Sequence, residues 1–239
     1  MFQQLFSDFD SRVKEVDLYF EIMSKIDAGR LSIDSVTGEN ENEQEDVSPP
    51  ADWGRMLKGA FYLVLYNLVE AFIRRGFQVV FDSVASDQLT AIELSEQFRA
   101  QWVEQRNRRI QAFDGSPKKY MEIARGMIDE IIARDVISLS RHRLPLSGNL
   151  NAKKVRHVCR IHGVDLTVGS DANGGAVLDI VMRKRNALSH GDESFVEAGR
   201  DDTVADLKKA KNEVVAFMYD ILHSLEQFAI AKSYKNSAS

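Results

Sequence analysis

Apolar residues at Phe2, Phe6, Phe9, Val13, Val16, Phe20 and Met23 recur in alternating steps of four and three. That repeat is the mark of a helix with one buried stripe. Ala28-Gly29 is the expected end, since glycine can supply a left-handed cap. Residues 31–52 then lose periodicity, gather Glu and Asn, and include Pro49-Pro50, a pattern that predicts a disordered acidic loop. A second helix is expected over about Asp52 to Asp82, apolar nearly all round through Met56, Leu57, Phe61, Leu63, Val64, Leu65, Leu68, Val69 and Phe72. A helix of that kind belongs at the centre of its domain. Asn67 and Glu70 fall inside it, and a buried carboxylate needs a partner, for which Arg185 is one candidate.

Further along, Ile92, Leu94, Phe98, Trp102 and Val103 place a third helix over about Thr90 to Phe113, with the basic end Arg106-Asn107-Arg108-Arg109. Such an end suits either phosphate contact or the dipole of the helix C-terminus. Gly115-Ser116-Pro117 restarts the chain, and Tyr120, Ile123, Met127 and Ile131 mark a fourth helix to about Arg134. Val136 to Leu150 reads as irregular, Ala152 to Ile161 as a short helix, Val164 to Val168 as an extended piece and Gly169 to Gly175 as a turn. Two more helices follow, about Ala176 to Leu188 and about Thr203 to Ala231. The sum is an all-α protein: one domain over 1–239, built as an antiparallel helical bundle with an irregular insertion at 136–175 before the last helix pair.

The formal net charge of −5 at first disfavours a polyanionic partner. Seven of the 36 acids, however, lie in 31–52, which contains no Lys or Arg, leaving 29 acids against 31 bases elsewhere. The single Cys159 excludes an internal disulfide and the paired-cysteine zinc motifs. The N-terminus lacks a basic, then apolar, leader, and the apolar run around Ala60 to Ile73 is interrupted and too short to span a bilayer. A cytoplasmic protein without a membrane partner is expected.

The chemistry gathers in Met182-Arg183-Lys184-Arg185-Asn186-Ala187-Leu188-Ser189-His190-Gly191-Asp192. Arg185 and His190 are five residues apart, about 140° around an ideal helix. For the two to converge within one chain, the helix must unwind near Ser189, with Gly191 the natural break. Histidine can take or give a proton near neutral pH, and arginine offers a permanently charged fork to phosphate oxygens.

Arg185-Asn186, three further residues and His190-Gly191-Asp192 resemble the Arg-(four to six residues)-His motif of the HEPN superfamily. The amphipathic first helix, Leu65-Tyr66-Asn67-Leu68-Val69-Glu70 and the Gly148-Asn149-Leu150 turn before a basic short helix are also similar to one bacterial HEPN nuclease subfamily. The resemblance implies a metal-independent endoribonuclease, with no cofactor, whose site is completed across a homodimer. RNA is cut by attack of its 2′-hydroxyl, with Arg185 and His190 catalytic and Asn186 and Glu70 supporting. It also implies a toxin-like defence effector, with an inhibitor or a second HEPN chain as further partners. The alternative is a non-catalytic HEPN module that binds RNA or protein and only dimerises.

Other basic residues compete for attention. Lys153, Lys154 and Arg156, with Arg183 and Lys184 beside the motif, are candidates for RNA contact. The short basic helix also fits a solvated face or a helix-turn-helix reader, although Pro145 and Gly148 interrupt what precedes it. His157, Cys159 and His162 lack the spacing of helical metal ligands, so no metal site is expected there. Lys208, Lys209 and Lys211 read as a solvent-facing row able to steer RNA.

Overall fold

The computed structural model describes residues 1–30, 52–106, 117–139 and 149–236, and the backbone alone of 107–111. The acidic segment 31–51, the end of the expected third helix at Phe113, and Pro145 and Gly148 lie outside the described residues.

Among the described residues eight α-helices follow one another: α1 Phe2–Asp27, α2 Asp52–Ser86, α3 Glu96–Gln111, α4 Pro117–Ala133, α5 Ala152–Ile161, α6 Val177–His190, α7 Phe195–Ala198 and α8 Val204–Ile230. A 3₁₀ turn, Ser170–Gly175, precedes α6. Among the described residues there is no strand, only the isolated bridges Thr90 to Val136 and Leu94 to Lys235. The all-α expectation therefore holds, and the piece at 164–168 runs without a ladder partner.

α2 is the axis of the fold, packing against α1, α6, α7 and α8. By length and composition it could cross a membrane, so the sequence reading of a run too short for that is corrected. More than half of its most apolar stretch is nonetheless buried within the protein, as befits a core helix. Phe61, Leu65, Phe72, Ile73 and Phe77 have essentially no solvent exposure. Against them α1 presents Leu5, Phe9, Val16 and Met23, and α8 presents Val214, Phe217, Ile221 and Leu225. Ion pairs fasten the edges: Asp8 with Arg75, and Asp17 with Lys211. Lys211 is thus committed to α1, whereas Lys208 and Lys209 are exposed and keep the solvent-facing role, Lys209 at 3.9 Å from Glu213.

Two boundaries differ from the sequence expectation. α3 begins at Glu96 rather than Thr90, because the Glu93 carboxylate accepts from both the amide and the hydroxyl of Thr90 and closes a separate turn. Ser95 then accepts from the Phe98 amide and starts the helix. Arg106, at the basic end, is spent on a two-point ion pair with Glu130 that ties α3 to α4. The second difference is α7, a helix absent from the reading above although Ser194-Phe195-Val196-Glu197 spells a capping box, and both of its hydrogen bonds are made.

His162 closes α5 inside a ring of Phe77, Phe81 and Phe98. Its Nδ1 donates to the Val158 carbonyl, and burial holds its pKa below the ordinary 6.5. In the unfolded chain the same imidazole takes up a proton near pH 6.5. Stability is therefore full above pH 6.5 and falls as pH drops from there toward the lowered folded value, by at most about 1.4 kcal/mol per pH unit. Urea midpoints at pH 7.5 and 5.5 should diverge in the natural protein and converge in His162→Asn. Equal divergence in both would sink the assignment.

Candidate active site

The motif helix α6 begins after a backbone reversal at Asn173 and Gly174, both at positive φ. Gly175 follows at φ +76 with Phe217 so close that a Cβ there would meet the ring at 2.6 Å. α6 buries Val177, Leu178 and Val181 and leaves Arg183, Ser189 and His190 exposed. It continues through His190 and ends at Gly191, which takes φ +77 and sends its amide to the Ala187 carbonyl. The Asp192 amide bonds the same carbonyl at 2.9 Å.

The expected unwinding near Ser189 is thus absent. Ser189 and His190 are helical, and the break comes one residue later because only Gly191 accepts the left-handed conformation cheaply. Regular geometry leaves Arg185 and His190 about 140° apart around α6. On α6 itself they leave the helix on different sides.

Arg185 faces inward over α2. Its guanidinium lies 4.6 Å from the centre of the Tyr66 ring, and Nη1 donates to Asn186 Oδ1 at 2.9 Å. Asn186 Nδ2 in turn donates to Asn149 Oδ1 at 2.8 Å. Tyr66, fully buried, accepts from the Leu150 amide through its hydroxyl at 3.3 Å. The segment after Gly148 is therefore pinned twice, to α2 by Leu150 and to α6 by Asn149. His190 is exposed and makes no hydrogen bond or ion pair among the described residues.

Glu70 does not pair with Arg185, which corrects the sequence expectation. Arg74, one turn along α2, donates to Glu70 Oε1 from Nη2 at 2.7 Å and from Nε at 3.2 Å. The cause is local: an i, i+4 partner on the same helix face reaches the half-buried carboxylate first. Asn67, also expected inside the core, is exposed on α2 and lines a groove with Arg12, Glu15 and Tyr19 of α1.

The remaining basic candidates separate into two groups. Arg183 returns its Nε to the Asp179 carbonyl, and Lys184 pairs with Glu193 at 3.2 Å. Lys153, Lys154 and Arg156 line a cleft of about 860 Å³ between α5 and the 3₁₀ turn, together with His157, Arg160 and Asp179. Asn151 sits at the joint: its Oδ1 accepts from the Lys154 amide to cap α5, while its Nδ2 donates to Asp179 Oδ1 at 2.9 Å in the first turn of α6.

His157, Cys159 and His162 do not converge. His157 is exposed beside Arg160, His162 is locked to its own helix, and burial pushes the Cys159 thiol up to about 12. Sequence reasoning missed the parts played by Tyr66, Asn149, Asn151 and Asp179. Asn151 carried a usable signal, an Asn immediately before a periodic helix. The others meet only in three dimensions.

Among known proteins, a family model described as MAE_28990-like HEPN matches residues 1–234. No curated protein and no solved structure matches the chain.

Proposed function

The chain belongs to that HEPN family, and from this premise we propose that it is a metal-independent endoribonuclease of the cytoplasm, active as a homodimer and serving as a toxin-like defence effector. The observation that carries the reading is the divergence of Arg185 and His190 on one unbroken helix, with His190 exposed and without a polar partner among the described residues. A site that needs both residue types must draw them from two chains. Apposed copies of α6 would supply two histidines and two arginines around one phosphate.

In that arrangement one imidazole removes the proton of the 2′-hydroxyl as its oxygen attacks the adjacent phosphorus. The other imidazole, in its protonated form, delivers a proton to the departing 5′-oxygen. The products are a 2′,3′-cyclic phosphate and a free 5′-hydroxyl. Arg185 balances the added charge on the pentacoordinate phosphorus, and Asn186 holds the guanidinium in plane. Glu70 acts only by fixing Arg74 on α2.

A second reading has one observation in its favour. Arg185 is already engaged by Asn186 and stacked on Tyr66, as a purely architectural arginine would be in a non-catalytic dimerisation module. Cleavage of single-stranded RNA in excess chelator separates the two, measured over a dilution series that crosses the dimer dissociation constant. Specific activity should fall with the dimer fraction, and DNA of the same sequence should stay intact. Cleavage that requires added metal ion, or that is independent of dilution, would defeat the proposal; no cleavage at any concentration favours the second reading.

A further inference from the structure

α5 divides cleanly into two faces. Ala152, Val155, Val158 and Cys159 are buried, while Lys153, Arg156, His157 and Arg160 recur at steps of three and four on the outside. With Lys154 they line the 860 Å³ cleft, whose lining among the described residues contains a single carboxylate, Asp179, already engaged by Asn151.

The five basic side chains do not all have the same task. Arg156 donates to the Gly174 carbonyl at 2.7 Å and lies over the Phe217 ring, so it is a fixed wall joining α5 to the 3₁₀ turn. Arg160 donates to His157 Nδ1 at 3.0 Å. Lys153, Lys154 and Arg160 form no ion pair among the described residues, which leaves three uncompensated cations along one side of an open trough.

We infer that this trough holds the phosphate backbone of single-stranded RNA and leads the strand to the motif, an assignment that rests on the ribonuclease reading above. Two features favour an extended polyanion over a small one. From Lys153 to Arg160 the helix rises about 10 Å, enough to meet successive phosphates of a strand. The trough also ends at Asn149, whose Oδ1 accepts from Asn186 beside Arg185, so a strand leaving it arrives at the catalytic arginine. The assignment adds Arg160 to the residues that bind and moves Arg156 to those that shape the groove.

The test uses the full chain and a labelled 12-nucleotide 2′-O-methyl RNA, which cannot be cut by 2′-oxygen attack, followed by fluorescence anisotropy between 50 and 200 mM salt. The triple variant Lys153→Ala, Lys154→Ala, Arg160→Ala should bind at least about tenfold more weakly at 100 mM salt. Its slope of log affinity against log salt should shrink by about 2, since each lost phosphate contact removes about 0.7. Lys153→Glu alone should also weaken binding, and all variants should keep the natural melting temperature because these side chains are solvent-facing. Unchanged affinity in both variants would overturn the groove. So would displacement of the RNA by 1 mM inorganic phosphate at constant ionic strength, or tighter binding of a 12-base-pair DNA. The two failures are distinguishable: lost binding in the triple variant with no cleavage by the natural protein keeps the groove and rejects the nuclease, whereas cleavage with unchanged binding does the reverse.

Discussion

His190→Ala should lower the rate of RNA cleavage by about two to four orders of magnitude, the usual contribution of a positioned general acid or base. It should do so without touching the fold. His190 is exposed, has no polar partner among the described residues and ends its helix, so its truncation falls among surface changes that shift stability by about 0.5 kcal/mol or less. Melting temperature and sedimentation behaviour should match the natural protein. Arg185→Ala makes the contrast. That side chain covers the Tyr66 ring and holds Asn186, so its loss combines a rate effect with a stability cost of about 1 to 2 kcal/mol. Cleavage surviving in the His190 variant would remove the histidine from the mechanism; a dimer lost in it would mean that His190 is an interface residue instead.

A different kind of effect is expected at Gly59→Ala. By intrinsic propensity alone, alanine in the middle of α2 should stabilise the helix by about 1 kcal/mol. Packing reverses the sign. A Cβ at Gly59 would stand 2.1 Å from the Phe195 carbonyl oxygen, and one at Gly199 would stand 2.0 Å from the Arg55 carbonyl. Both clashes are with backbone, which no rotamer change relieves. Overpacking of that kind costs about 3 kcal/mol, so the net loss is about 2 kcal/mol and a fall of several degrees in melting temperature. The shift should be larger in kind than in size: α7 would lift from α2, and with it the chain that leaves His190. Unfolding curves for Gly59→Ala, with Gly126→Ala in open space as the control, decide the point. A Gly59 variant as stable as the control would show that α7 is not held by this contact.

What the sequence disclosed depended on whether an element had sides. α1 and α8 have clear stripes, and most of the residues expected inside are buried: Phe2, Phe9, Val16 and Met23 in one, Leu207, Val214, Phe217, Ile221, Leu225 and Phe228 in the other, with Phe6, Val13, Phe20 and Val204 half-buried at the edges. α2 is apolar on nearly every face, so its periodicity carries no direction. Asn67 looked internal and is exposed, and Glu70 looked as if it needed a distant partner when Arg74 was within one turn. The family was legible from Arg185 through Asp192, and the match over residues 1–234 agrees. The geometry of the motif was not, because the convergence of two residue types was sought within one chain and a helix bend was invoked to achieve it. Gly191 alone ends α6, and it does so too late for that.

Asn151 joins the two halves of the site with one amide, capping α5 and gripping Asp179 at the base of α6. From Asp179 to His190 the helix is a rigid rod of about 16 Å. A tilt of about 5° at its base, transmitted through that amide, would carry the imidazole more than an ångström. Displacements of that size change reaction rates about a hundredfold when atoms must meet in line. If the groove holds RNA, α6 would serve as a lever arm with its fulcrum at Asn151, and occupancy at one end would set alignment at the other.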